Sequence, residues 1–154
     1  MLKSVRIMLA IAAFFNYESW QMDVKTTFLN GYLKEELYYM MQPEGFVDPE
    51  NADKVCKLQR SIYGLVQASR SWNIFFDEVI KAFGFIQVYG EACIYKKVSG
   101  SSIAFLVLYV DGILLIGNNI ELLENVKEYL NKSFSMKDLG EAALILGIKI
   151  HRNK

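Results

Sequence analysis

The sequence predicts an α+β fold built on an antiparallel sheet. Three observations predict it: short apolar runs bounded by turn residues, an Asp-Gly pair joining two of those runs, and two stretches with apolar residues at helical spacing. At 154 residues, 53% hydrophobic and 14% aromatic, such a chain buries about 68 to 70% of its extended surface. A sizeable core follows. Seventeen basic and seventeen acidic residues cancel, which excludes a global basic field as the means of holding nucleic acid and leaves only local binding. Cys56 and Cys93 suggest no disulfide scaffold and suit a reducing, intracellular setting, cytoplasmic or nuclear.

Met1-Leu-Lys-Ser-Val-Arg6, followed by apolar Ile7 to Phe15, mimics a signal peptide. Asn16, Tyr17 and Glu18 follow without a small-residue cleavage site, so a helix is expected. No run reaches the ~18 apolar residues of a membrane span, and no membrane partner is expected. Trp20 to Lys25, Leu37 to Met41 and Val55 to Leu58 read as strands, separated by Gln42-Pro-Glu-Gly45 and Asp48-Pro-Glu-Asn51. Trp72, Phe75, Phe76, Val79, Ile80 and Phe83 then recur at helical spacing, with Gly84 as the stop. That stripe reads as a core face, not a base-stacking platform. Ala92 to Val98, Ile103 to Val110 and Ile113 to Ile116 supply further strands. Asp111 and Gly112 are expected at the centre of the last hairpin, where both must accept positive φ. A helix over Ile120 to Lys132 turns Leu122, Leu123, Val126, Tyr129 and Leu130 inward, and Leu144 to Ile150 reads as a terminal strand. The sheet is expected to carry its helices on one face.

Asp23 and Asp111 each close an apolar, strand-like run. On local chemistry, Asp111 can be a turn former or a metal ligand. Two carboxylates at neighbouring strand ends could share a Mg²⁺ ion, which prefers hard oxygen ligands and keeps several waters. Polynucleotide chemistry uses two such ions to neutralise the attacking, transferred and leaving groups. His151 is the only histidine, and the two cysteines show no metal-ligand spacing.

A set of ordered blocks carries a family resemblance. They are Gln21-Met-Asp-Val-Lys-Thr-Thr-Phe-Leu-Asn-Gly31, Gln42-Pro-Glu-Gly-Phe46, Val55-Cys-Lys-Leu58, Ser61-Ile-Tyr-Gly-Leu-Val-Gln-Ala-Ser-Arg-Ser-Trp72, Tyr109-Val-Asp111, Phe134-Ser-Met-Lys-Asp-Leu-Gly140 and Leu146-Gly-Ile148. In order and spacing, over nearly the whole chain, they resemble copia-type retrotransposon reverse transcriptases, the RNA-directed DNA polymerases of Pol polyproteins. The resemblance implies a palm whose catalytic and metal-binding residues are Asp23 and Asp111, with two Mg²⁺ ions as cofactors. It implies that Phe28 lies beneath the incoming sugar and favours deoxynucleotides. Gly64, Gln67 and Arg70 would shape the nucleotide and template pocket, Lys137 would neutralise or protonate pyrophosphate, and Gly147 would belong to the primer grip. Template-primer RNA or DNA, dNTPs and the remainder of a Pol polyprotein are the implied partners.

The departures from that pattern are as informative. Gly112 stands where the family has a second hairpin aspartate, Val66 where it has lysine, Ser69 proline, Thr27 alanine and Glu91 aspartate. Residues 1–154 are then expected to form one partial reverse transcriptase domain, palm plus part of the fingers, with the upstream fingers segment, thumb and RNase H absent. Three functional readings follow: a degenerate polymerase with little or no activity alone, a weakened polymerase using Asp23 and Asp111, or a non-catalytic nucleic-acid or protein-binding α+β module. For the last, Lys54, Lys57, Arg60 and Arg70 form the basic footprint.

Overall fold

The computed structural model describes residues 2–33 and 38–151. It divides into two compact units, Met1–Thr26 with Asp77–Lys154, and Thr27–Phe76. The first begins with helix α1 (Leu2–Phe14) and strand β1 (Glu18–Val24). Its later elements are strands β4 (Ile86–Val88), β5 (Glu91–Ser99), β6 (Ser102–Tyr109) and β7 (Gly112–Gly117), helix α3 (Ile120–Ser133), and strands β8 (Met136–Glu141), β9 (Leu144–Ile145) and β10 (Ile148–Lys149). The second holds strands β2 (Tyr39–Met41) and β3 (Val55–Lys57) and two 3₁₀ turns. Helix α2 (Ala68–Ala82) starts in the second unit and ends in the first. Leu37, expected to open β2, lies outside the described residues.

The first unit's sheet has the order β4-β5-β6-β7-β1-β8, and each pairing in it is antiparallel. The α+β expectation holds. The helices, however, do not share one face. Leu114 and Ile116 of β7 pack with Val5, Met8 and Ala12 of α1. The alternate residues face α3, because a Cβ on Gly117 would meet Leu123 Cδ2 at 2.8 Å. Likewise Trp20, which pairs with Leu115, receives Lys127 Nζ of α3 over its ring at 4.4 Å. The physical reason is that β7 is apolar between its terminal glycines and buried throughout. Such a strand needs cover on both sides, and each fully buried Ile or Leu contributes about 1.5 to 3 kcal/mol.

The ends of the helices follow from local chemistry. Asn119 caps α3 by accepting from Leu122 N at 3.0 Å, and Leu123, Val126 and Leu130 are buried along its inner face. Helix α2 turns Trp72, Phe76 and Ile80 inward and stops before Gly84, whose φ is +91°. The α2 end is joined to α3 by the hydrogen bond from Tyr129 Oη to Val79 O at 2.8 Å. No described helix is long and apolar enough to cross a membrane.

Two further expectations need correction. The segment read as one terminal strand is a tight hairpin, β9 and β10, with Ile145 opposite Ile148. Leu146 (φ 47°) and Gly147 (φ 77°) form its loop, both in the left-handed region that two-residue hairpins favour. The β6–β7 loop is Val110-Asp111, not Asp111-Gly112: Tyr109 pairs with Gly112, and Val110 carries the positive φ of 58°. Gly112 therefore opens a strand.

Candidate functional site

Strand pairing assembles one end of the first unit's sheet. Asp23, one residue from the end of β1, lies opposite Gly112 of β7 on one side and Lys137 of β8 on the other. Tyr109 of β6 continues the row beyond Gly112. Cross-strand partners project to the same face, so Tyr109, Gly112, Asp23 and Lys137 form a line across four strands. Gln21, two residues before Asp23, shares their face. Its Nε2 donates to Tyr109 Oη at 2.9 Å.

Asp111 reaches the line from the hairpin loop. Its carbonyl accepts from Val24 N at 2.8 Å, which ties the loop to the end of β1. The two carboxylates feel each other: partial burial raises the Asp23 pKa above the ordinary carboxylate value, repulsion from Asp111 raises it further, and Lys137 pulls it back. Burial also raises the Tyr109 phenol, the Gln21 hydrogen bond opposes this, and the Asp23 and Asp111 charges add to the rise. That phenol is neutral at ordinary pH.

The donor set fits one divalent cation. Mg²⁺ is commonly held by one or two carboxylates, with waters and substrate phosphates filling the other positions. Asp23 and Asp111 would offer two hard-oxygen ligands, and a cation between them would relieve their repulsion. Among the described residues, no group of three His, Cys, Asp or Glu side chains could hold a metal ion.

The other expected site residues are spread over both units. Gly147 sits in the β9–β10 loop of the first, while Phe28, Gly64, Gln67 and Arg70 belong to the second. There, half-buried Phe28 meets Tyr63 edge-on, with ring centroids 4.9 Å apart. Gly64 has φ +94°. Gln67 and Arg70 are exposed around the start of α2, where Gln67 O accepts from Ser71 N at 2.9 Å. Sequence reasoning missed Gln21 and the position of the Tyr109 ring. The period-two spacing of Gln21 and Asp23 could have flagged the former.

The family model for reverse transcriptase (RNA-dependent DNA polymerase) matches residues 1–154. The chain is 45% identical over 152 residues to the retrovirus-related Pol polyprotein from transposon TNT 1-94 of Nicotiana tabacum, covering 98% of this chain and 11% of that protein. It is 37% identical over 149 residues to the Pol polyprotein from transposon RE1 of Arabidopsis thaliana, covering 97% and 10%. A transposon Ty5-1 protein of Saccharomyces cerevisiae is 37% identical over 132 residues, covering 86% and 42%. The chain thus spans about a tenth of the length of the two plant polyproteins. No solved structure matches.

Proposed function

The chain belongs to the reverse transcriptase (RNA-dependent DNA polymerase) family, and from that premise we propose that its Asp23–Asp111 end is a polymerase metal centre reduced to two carboxylates. Asp23 and Asp111 would hold one Mg²⁺ where nucleotide addition uses two. The observation that carries this reading is the register: Gly112, with no side chain, stands opposite Asp23 and beside Asp111. A bound Mg²⁺ would supply Lewis-acid neutralisation of the charge that develops on the reacting oxygens.

The remaining work falls to the chain's own groups. Asp23 and Asp111 provide the negative charge that retains the cation, and Lys137, across from Asp23, balances a phosphate or pyrophosphate. Phe28 discriminates the sugar, Gly64, Gln67 and Arg70 contact nucleotide and template, and the Gly147 hairpin contacts the primer. Residues 1–154 act as one partial reverse transcriptase domain, with template-primer, dNTP and the rest of a Pol polyprotein as partners. Losing a carboxylate beside a divalent ion is a large deficit. Opposite unit charges at contact attract by about 4 kcal/mol at an effective dielectric near 20, and by twice that for a divalent partner before desolvation is deducted.

Little or no nucleotidyl transfer is therefore expected of this chain. The test is extension of a DNA primer annealed to an RNA template, with Mg²⁺ and all four dNTPs. No product above the protein-free control is expected, and robust extension would overturn the reading.

A further inference from the structure

Gly112 is buried, and its φ lies outside the left-handed region. Space, not backbone conformation, is what a side chain there would lack. An ideal Cβ on Gly112 would lie 2.3 Å from Cε2, 2.4 Å from Cζ and 2.8 Å from Oη of Tyr109. The tip of the phenol occupies the place of the missing side chain. It is fixed there by the 2.9 Å hydrogen bond from Gln21 Nε2, and the ring belongs to the core cluster beneath α1.

We infer that Tyr109 is a positioning residue that plugs the third-ligand place of the centre. Its ring fills the space beside Gly112 and its hydroxyl is tied to Gln21, so a carboxylate at position 112, and the second cation it would hold, enters only when the tip of the phenol moves aside. This deepens the single-ion reading above and rests on it. A neutral plug also suits the location, because a third carboxylate would add to the repulsion between Asp23 and Asp111.

The test reads two quantities on the full chain: nitration of Tyr109 by tetranitromethane, mapped by peptide mass spectrometry, and the number of Mn²⁺ ions bound, counted by electron paramagnetic resonance. The parent should bind one Mn²⁺ and protect Tyr109. Gly112→Ala adds the Cβ without a ligand. It should raise Tyr109 nitration about tenfold, equivalent to about 1.4 kcal/mol of lost protection, with the Mn²⁺ count still at one. Gly112→Asp should raise nitration and bind a second Mn²⁺. Gln21→Leu removes the tether but leaves the glycine place untouched, so it reads the plug even where a position-112 variant fails to fold. It too should raise nitration. Tyr109 remaining protected in Gln21→Leu and in folded Gly112→Ala would overturn the inference, as would a second Mn²⁺ in Gly112→Asp with Tyr109 still protected. A parent that binds no Mn²⁺ while nitration rises in the variants would sink the single-ion reading and support the plug.

Discussion

Gly112→Asp should destabilise the protein without cations and make it more responsive to them. The new Cβ, 2.3 Å from Tyr109 Cε2, requires the tip of a ring only 9% exposed to move aside. The hydrogen bond from Gln21 is lost, which costs about 0.5 to 1.5 kcal/mol net. If half of the ~150 to 250 Å² that an aromatic side chain buries returns to water, about 2 to 3 kcal/mol more is lost at ~25 cal/mol per Å². A third carboxylate near Asp23 and Asp111 adds about 1 kcal/mol of repulsion at the dielectric of water. The combined loss, about 4 kcal/mol, lowers the melting temperature by about 8 to 16 °C for a chain of this length. With Mg²⁺ the electrostatic contribution changes sign, because three carboxylates attract a divalent ion more than two do. Thermal unfolding followed by far-ultraviolet circular dichroism, in EDTA and in excess Mg²⁺, separates the effects. An unchanged melting temperature in EDTA would refute the packing argument. A Mg²⁺-induced rise no larger than the parent's would refute the placing of position 112 at the cation.

Two further perturbations test the site and the scaffold. Asp23→Asn removes a carboxyl whose pKa is raised by burial and then by Asp111; its stabilising contribution is full below the ordinary value of 3.8 and lost as pH rises through the elevated folded value. The variant's stability should therefore gain on the parent's between about pH 3 and pH 7 in urea unfolding, while Mn²⁺ binding is lost, and a gap that does not change with pH would contradict this sign. Gly31→Ala would place a Cβ 2.9 Å from both Ser71 Cβ and Trp72 N, and since helix backbone cannot swing aside, a loss of about 1 to 3 kcal/mol is expected as a lower urea midpoint with unchanged slope; an unshifted midpoint would mean the helix yields.

What the sequence made legible was whatever local pattern determines. The apolar stripe from Trp72 to Phe83 and the inward residues of α3 follow a 3.6-residue period, and β5, β6 and β7 are apolar enough to be read directly. Strand β8 was not legible. Met136-Lys-Asp-Leu-Gly-Glu141 is an edge strand with five exposed positions, so no buried face imposes an alternation on it. The short β4, at the opposite edge of the sheet, also went unread. The β9–β10 hairpin was hidden because Leu144 to Ile150 is apolar on both sides of its turn. The meeting of Asp23 and Asp111 was legible only from the order of the motif blocks, since local chemistry left Asp111 undecided. The Tyr109 plug depends on three strands meeting, which no spacing along the chain encodes.

The hairpin loop shows why the scaffold needs no side chain at position 112. Local preference favours Asp111-Gly112 as the loop, yet the chain places Val110 in a left-handed conformation at φ 58°, a strain of about 1 to 3 kcal/mol for a β-branched residue. What outweighs it is tertiary. With Val110-Asp111 as the loop, Tyr109 to Ala104 pair in continuous register with Gly112 to Gly117, and the Asp111 carbonyl satisfies Val24 N at the end of β1. None of these interactions requires a side chain at position 112. Strand pairing alone carries Asp111 to Asp23, so the fold holds two of the three carboxylates of the proposed cation centre together, with none at position 112. The Tyr109 phenol then fills the vacancy and makes the reduced site a well-packed one. Stability and catalytic capacity are consequently opposed at this glycine: the substitution that restores a ligand must first displace a ring that the fold uses as core.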